Sequence, residues 1–155
     1  MNKPRGADRD IAVNRRASHD YHFEEEYEAG LVLTGSEVKS LREARITFKD
    51  SYISVRNGEL FWMGVHITPW TYAHQFNHEA ERVRKLLLHR TEINRLASKV
   101  RDKGLTLIPL KVYLKNGRIK LKLALARGKK EYDRRDDLKE REAQREMDRA
   151  LKARR

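Results

Sequence analysis

Residues 110–125 read LKVYLKNGRIKLKLAL. Asn116-Gly117 stands between two runs that alternate apolar and polar, and both central residues of a type I′ turn need positive φ, which Asn and Gly tolerate. A two-residue loop there sets Lys115 opposite Arg118, Leu114 opposite Ile119, Tyr113 opposite Lys120, Val112 opposite Leu121 and Lys111 opposite Lys122. Period-two alternation then makes one face apolar: Leu110, Val112, Leu114, Ile119, Leu121, Leu123 and Leu125. The other face carries Lys111, Tyr113, Lys115, Arg118, Lys120 and Lys122. Like charges set directly opposite cost a sheet roughly 0.2–1 kcal/mol per pair. A phosphate backbone laid across this face would reverse that sign and release counterions, and Tyr113 offers a stacking surface for a base or ribose. The competing reading is a solvated face on which lysines guard a sheet edge.

Outward from this hairpin the pattern stays mostly β. Ile53 and Val55 lead into Asn57-Gly58, and Leu60, Phe61, Trp62 and Met63 follow, a second hairpin. Upstream, Tyr21, Phe23, Tyr27, Ala29, Leu31 and Leu33 share one parity and Glu24, Glu26 and Glu28 the other, which predicts a half-buried strand. Thr34 and Glu37 have capping-box spacing and predict a short helix through Val38 and Leu41. Ile93, Leu96, Ala97 and Val100 recur at helical spacing, with Thr91 as the expected cap and Gly104 as the stop. The expected fold is mainly β: a small antiparallel β-barrel with about three peripheral helices.

Composition narrows the function. The chain has 155 residues and a net charge of +12, with pI near 10.1, so a polyanionic partner is expected. No window reaches the roughly 18 apolar residues of a membrane helix, and no secretory h-region is visible. The absence of Cys excludes disulfides, thiolate metal sites and Cys nucleophiles, and suits a reducing cytoplasm. Three zones carry about +3, +6 and +3. Residues 1–17 form a basic arm, expected to be loose. Residues 18–127 hold enough apolar side chains for a core. Residues 128–155 have only Leu138, Met147 and Leu151 as large aliphatics, but carry the favourable i,i+4 pairs Glu131/Arg135, Asp137/Arg141 and Asp148/Lys152. That tail is expected to be frayed when free and helical on a partner, hinged at Gly128-Lys129-Lys130.

Arg82, Arg84, Lys85 and Arg90 surround Leu86-Leu87-Leu88. They read either as cations pinned to the barrel for an RNA or as an ordinary approach to a buried leucine. His19, beside Asn14-Arg15-Arg16, reads equally as a stackable imidazole or as a satisfied strand start. Gly30 to Gly35 has phosphate-loop glycine spacing but lacks the Lys that must follow. His74 and His78 lie i,i+4 without a third ligand at diagnostic spacing. Glu24, Glu25, Glu26 and Glu28 suggest a nuclease metal cluster, but alternation splits them between two faces. Glu28 remains a candidate acceptor for base amino groups. The chain therefore reads as a non-enzyme without a cofactor. A structural ribosomal protein and a metal-dependent nuclease are the rival classes.

The ordered motifs Asn14-Arg15-Arg16-Ala17, His19-Asp20-Tyr21, Glu28-Ala29-Gly30, Leu33-Thr34-Gly35, Glu37-Val38-Lys39-Ser40-Leu41-Arg42 and Asp50-Ser51-Tyr52 resemble those of the SsrA-binding proteins (small protein B). So do Asn77-His78, Arg82-x-Arg84-Lys85-Leu86-Leu87-Leu88, Gly104-x-Thr106-Leu107, Gly128-Lys129-Lys130 and Asp133-Arg134-Arg135. The resemblance runs from about Ile11 to the C-terminus. It implies an oligonucleotide-binding-type barrel that binds the tRNA-like domain of transfer-messenger RNA (tmRNA). With elongation factor Tu, that complex reaches stalled ribosomes, where the tail becomes helical in the empty mRNA channel. It implies RNA-binding roles for Glu28, Leu87 and Lys120, with His19 at the same surface. It implies ribosomal roles for Lys129, Lys130, Asp133, Arg134 and Arg135, with Tyr132 the one aromatic among them. Three positions depart from the family pattern: Arg134 replaces a usual Lys, Ser18 a common basic residue and Ala80 a common Pro.

Overall fold

The structure, a computed structural model, describes residues 8–73 and 76–153, with only the backbone of Glu131 and Tyr132. In chain order the elements are β1 (Arg9–Val13), α1 (Arg15–Asp20), β2 (Tyr21–Leu31), α2 (Gly35–Arg42), β3 (Ile46–Thr47), β4 (Tyr52–Arg56) and β5 (Glu59–Met63). Then come β6 (His66–Ile67), β7 (Arg84–Leu87), α3 (Arg90–Lys103), β8 (Thr106–Lys115), β9 (Arg118–Gly128) and α4 (Glu131–Ala153). The architecture is mainly β and antiparallel, with four helices among the described residues.

Pairings run β8–β4–β5–β7–β2–β9, and β9 pairs back to β8. Both hairpins form at the Asn-Gly pairs. Asn57, Gly58, Asn116 and Gly117 all have φ between 51° and 76°, as a type I′ turn requires. The register of β8 and β9 matches the expected pairs from Lys115↔Arg118 to Lys111↔Lys122. Inside the circuit lie Leu60, Trp62, Leu86, Leu121, Leu123 and Leu125, all at most 1% exposed. Leu96 of α3 and Leu41 of α2 join the same core.

Two bulges break the simple alternation. Pro109 lacks an N–H for the ladder, and the β8–β9 register shifts between Pro109 and Lys111. Leu110 therefore leaves the expected apolar face and packs with Ala17, Ile108, Ala124 and Ala126 on the other side of the sheet. Two alanines on β9 leave room for α1 to lie close. In β2 the register shifts between Phe23 and Glu25. Phe23 falls out of the inward set and is 36% exposed, while Ala29 is fully buried.

The N-terminal boundary also differs from expectation. The domain begins before residue 18, because β1 pairs with β8, Ile11 is buried, and Asn14 donates its backbone N–H to Leu110 O and its side chain to Pro109 O, both at 2.8 Å. Only residues 1–7 of the expected arm lie outside the described residues. The tail is a continuous helix of 23 residues, supported by its i,i+4 charge pairs and its freedom from Gly and Pro. Helix α3 is capped by His89 rather than Thr91, with Glu92 accepting the His89 N–H, and Gly104 ends it at φ 62°.

Candidate nucleic-acid interface

The registers of five strands bring Leu87, Gly30, Lys120, Tyr113 and Asp10 into one line across the sheet. Leu87 pairs with Gly30, Gly30 with Lys120, Lys120 with Tyr113, and Tyr113 with Asp10. Adjacent strands lie about 4.8 Å apart, so the row is about 19 Å long. An apolar end, half exposed at Leu87, gives way to a cation, then a phenol, then a carboxylate.

Glu28 sits two residues along β2 from Gly30, on the same face, paired in register with Lys122. Its carboxylate accepts from the Tyr113 hydroxyl and from Lys115 Nζ at 3.2 Å. The Tyr113 hydrogen bond and Lys115 hold the Glu28 carboxyl below its ordinary range. Burial and Glu28 together push the Tyr113 phenol up, so it donates a hydrogen bond at neutral pH. Lys111 Nζ lies 5.3 Å from the Tyr113 ring centroid and 3.2 Å from Asp10. Lys122 pairs with Glu26 at 3.3 Å. Among the described residues, Arg118 and Lys120 form no ion pair within 4.0 Å. These are the two cations of the face without a described carboxylate partner.

Two depressions flank the row. One, of about 390 Å³, has Asp10, Glu28, Lys111, Tyr113, Lys115 and Lys122 in its wall. The other, of about 320 Å³, lies between Leu87, Gly30 and Val38 on one side and Arg118 and Lys120 on the other. Gly30 offers no side-chain chemistry, so the sequence alone does not single it out as a site residue. A Cβ there would lie 3.3 Å from Leu87 Cβ, so glycine lets β2 approach Leu87 closely. A glycine inside a strand pattern is the sequence signal for such an approach.

Arg84 is a correction. It is fully buried, donating through Nε to Glu37 at 2.5 Å and through its other nitrogens to Val65 O, Ala80 O and Glu79 O. No RNA reaches it. Its neighbour Lys85 is 41% exposed and pairs with Glu59 at 3.0 Å. Glu37, besides closing the capping box with Thr34, accepts from Arg82 at 2.5 Å. Burial pushes the Glu37 carboxyl up, but Arg82, the Thr34 N–H and Arg84 outweigh it and hold it lowered.

His19 is the second correction of place. It lies near the end of α1, just before Tyr21 pairs with Gly128, whereas Glu28 pairs with Lys122 farther along the same two strands. It bonds Asp20 at 2.9 Å. Lys129, Asp133 and Arg134 gather at that end, near Asp20 and His22. Lys130 is exposed, with its N–H donated to Asp133. Arg135 is exposed on α4, and the Tyr132 side chain lies outside the described residues.

The carboxylates and the described histidine that the sequence set aside as metal ligands have other partners. Glu25 is taken by Arg95 and Lys99, Glu26 by Lys122, and Glu28 by Tyr113 and Lys115. His78 is a buried structural residue that bonds Ser36 Oγ at 2.9 Å and Ile67 O at 2.8 Å; His74 lies outside the described residues. Among the described residues, no helix is long and apolar enough to cross a membrane.

Fold and face together define a small basic antiparallel-sheet protein whose outward row mixes cations, a phenol and an aliphatic, extended by an exposed helix. The family model described as "SmpB protein" matches residues 11–153. The SsrA-binding protein of Geobacillus kaustophilus is 52% identical over 151 residues, covering 97% of both chains. That of Solidesulfovibrio magneticus is 58% identical over 141 residues, covering 91% of this chain and 92% of the relative. A solved structure described as "tmRNA-SmpB: a journey to the center of the bacterial ribosome" superposes with a TM-score of 0.66 at 47% identity, covering 79% of this chain and 87% of its own. The chain belongs to the SmpB family of SsrA-binding proteins.

Proposed function

We propose that this chain is a non-catalytic RNA adapter of trans-translation. It binds the tRNA-like domain of tmRNA and enables its delivery, with elongation factor Tu, to ribosomes stalled without a usable codon, in the cytoplasm. The observation that carries this reading is the five-strand row from Leu87 to Asp10, with Glu28 beside it. Its mixed chemistry suits a folded RNA. Arg118 and Lys120 take phosphates, Leu87 packs against a sugar or base face, and Glu28 accepts from a base amino group. The closed sheet acts as an oligonucleotide-binding-type barrel, a scaffold known for such faces. The division of labour follows the chain. The domain up to Gly128 holds tmRNA, and the helix from Glu131 enters the vacant mRNA channel.

The test is recovery of the native protein from cells, followed by sequencing of the bound RNA. One dominant RNA with a tRNA-like end is the expected result. Equimolar recovery with every ribosome would instead make the chain a structural ribosomal protein. Magnesium-dependent cleavage of the RNA, lost in Glu28→Gln, would make it a nuclease.

A further inference from the structure

The resemblance groups Lys129 with tail residues that meet the ribosome, yet its side chain is turned inward. It is 7% exposed. Its Nζ donates to Ser18 O at 2.8 Å and to the Asp137 carboxylate, and its backbone N–H donates to Asp20 O at 2.8 Å. Two further links run the same way: Arg134 Nη2 lies 3.8 Å from Asp20 Oδ1, and His22 Nε2 lies 3.5 Å from Asp133 Oδ2. These polar ties between the tail root and the domain lie at or before the second turn of α4. The large aliphatics farther along, Leu138, Met147 and Leu151, are exposed.

A buried ammonium is tolerated only with its partners in place, so Lys129 fits one geometry of the root and few others. Gly128 immediately before it offers no side-chain restraint. A helix of 23 residues rises about 35 Å. A swing of about 20° at its root therefore moves its tip by about 12 Å, the full diameter of a helix with its side chains. Lys129 also lowers the Asp137 carboxyl, in keeping with a charged partner at neutral pH.

We infer that Lys129, Asp137 and Asp20 are positioning residues that aim the tail helix from the domain, and that Lys129 acts inside the protein rather than on the ribosome. This rests on the reading that the tail works in the mRNA channel. Neither Asp20 nor Asp137 is among the tail residues that the resemblance singles out.

The chain has no cysteine, so the double variant Asn94→Cys/Ala143→Cys carries one spin label on α3 and one on α4 without background. Pulsed electron paramagnetic resonance on the free full-length protein should give one narrow distance population. Lys129→Met and Asp137→Asn should each at least double its width. Combining them should widen it no further than Lys129→Met alone, because both remove the same contact. Asp137 lies on an exposed helix, so Asp137→Asn keeps the test valid if Lys129→Met fails to fold. Asp137→Asn should also lower peptide tagging at least tenfold, with tmRNA affinity unchanged and Asp137→Glu restoring tagging. Unchanged widths, additive widths, or full tagging by Asp137→Asn would each overturn the inference. Failure of the unsubstituted protein to support tagging would sink the adapter reading instead, while the distances would still report on the root.

Discussion

Arg84 and Glu37 are both fully buried, and they meet at 2.5 Å between the inner end of β7 and the first turn of α2. The pair joins a helix cap to a central strand. Removing one partner of a buried pair leaves the other charge uncompensated and costs about 3–5 kcal/mol. Glu37→Gln should therefore lower unfolding stability by that amount in denaturant titrations. Arg84→Lys should not be benign, because one ammonium cannot replace guanidinium bonds to Glu37, Val65 O, Ala80 O and Glu79 O at once.

The same pair sets an acid response. The Glu37 carboxyl is lowered from its ordinary value of 4.5, so the folded state binds its proton less readily than the unfolded chain. Its contribution is fully present above pH 4.5 and is lost as pH falls through the lowered folded value. Thermal melts from pH 7 down to pH 3 should show a drop below about pH 4.5 that is shallower in Glu37→Gln.

Glu28 masks part of the cationic face by engaging Tyr113 and Lys115. Glu28→Gln should raise affinity for unrelated duplex RNA and steepen its salt dependence by up to about 0.9 in log–log slope. Preference for the tRNA-like RNA over that competitor should fall. Fluorescence anisotropy across a salt series measures both.

Gly30→Ala tests the close approach to Leu87. The added methyl must move Leu87, whose Cβ would lie at 3.3 Å, while the lost glycine entropy offsets part of the crowding. Stability should change by no more than about 1 kcal/mol. RNA affinity should fall several-fold, as seen by the same anisotropy assay.

The two Asn-Gly turns and the register of the long hairpin were legible because turn chemistry and period-two alternation agree there. Leu110 was not, because one proline displaced the ladder and sent the next side chain to the opposite face. Arg84 is not legible for a related reason: a cation in a basic run looks solvent-facing until its partner, 47 residues away, is placed beside it. Gly30 carries no chemistry of its own, so its place between Leu87 and Lys120 emerges only from the pairing of three strands. The tail root was hidden likewise: Lys129 and Asp20 lie far apart in sequence and meet only because Tyr21 pairs with Gly128.

Among the described residues Lys120 forms no ion pair within 4.0 Å, so it should be felt by RNA most simply. Lys120→Ala should weaken binding to all RNAs and flatten the salt slope by about 0.7–0.9. An unchanged slope would remove Lys120 from the phosphate contacts.

The most direct test of the domain as the tmRNA-binding part is the affinity of a chain ending at Gly128 for the isolated tRNA-like domain. Gly128 closes β9 against Tyr21, so the cut spares the sheet. A dissociation constant within about twofold of the full chain's (a difference below about 0.4 kcal/mol) is the predicted result. A loss of tenfold or more would place the RNA affinity in the tail and contradict the account.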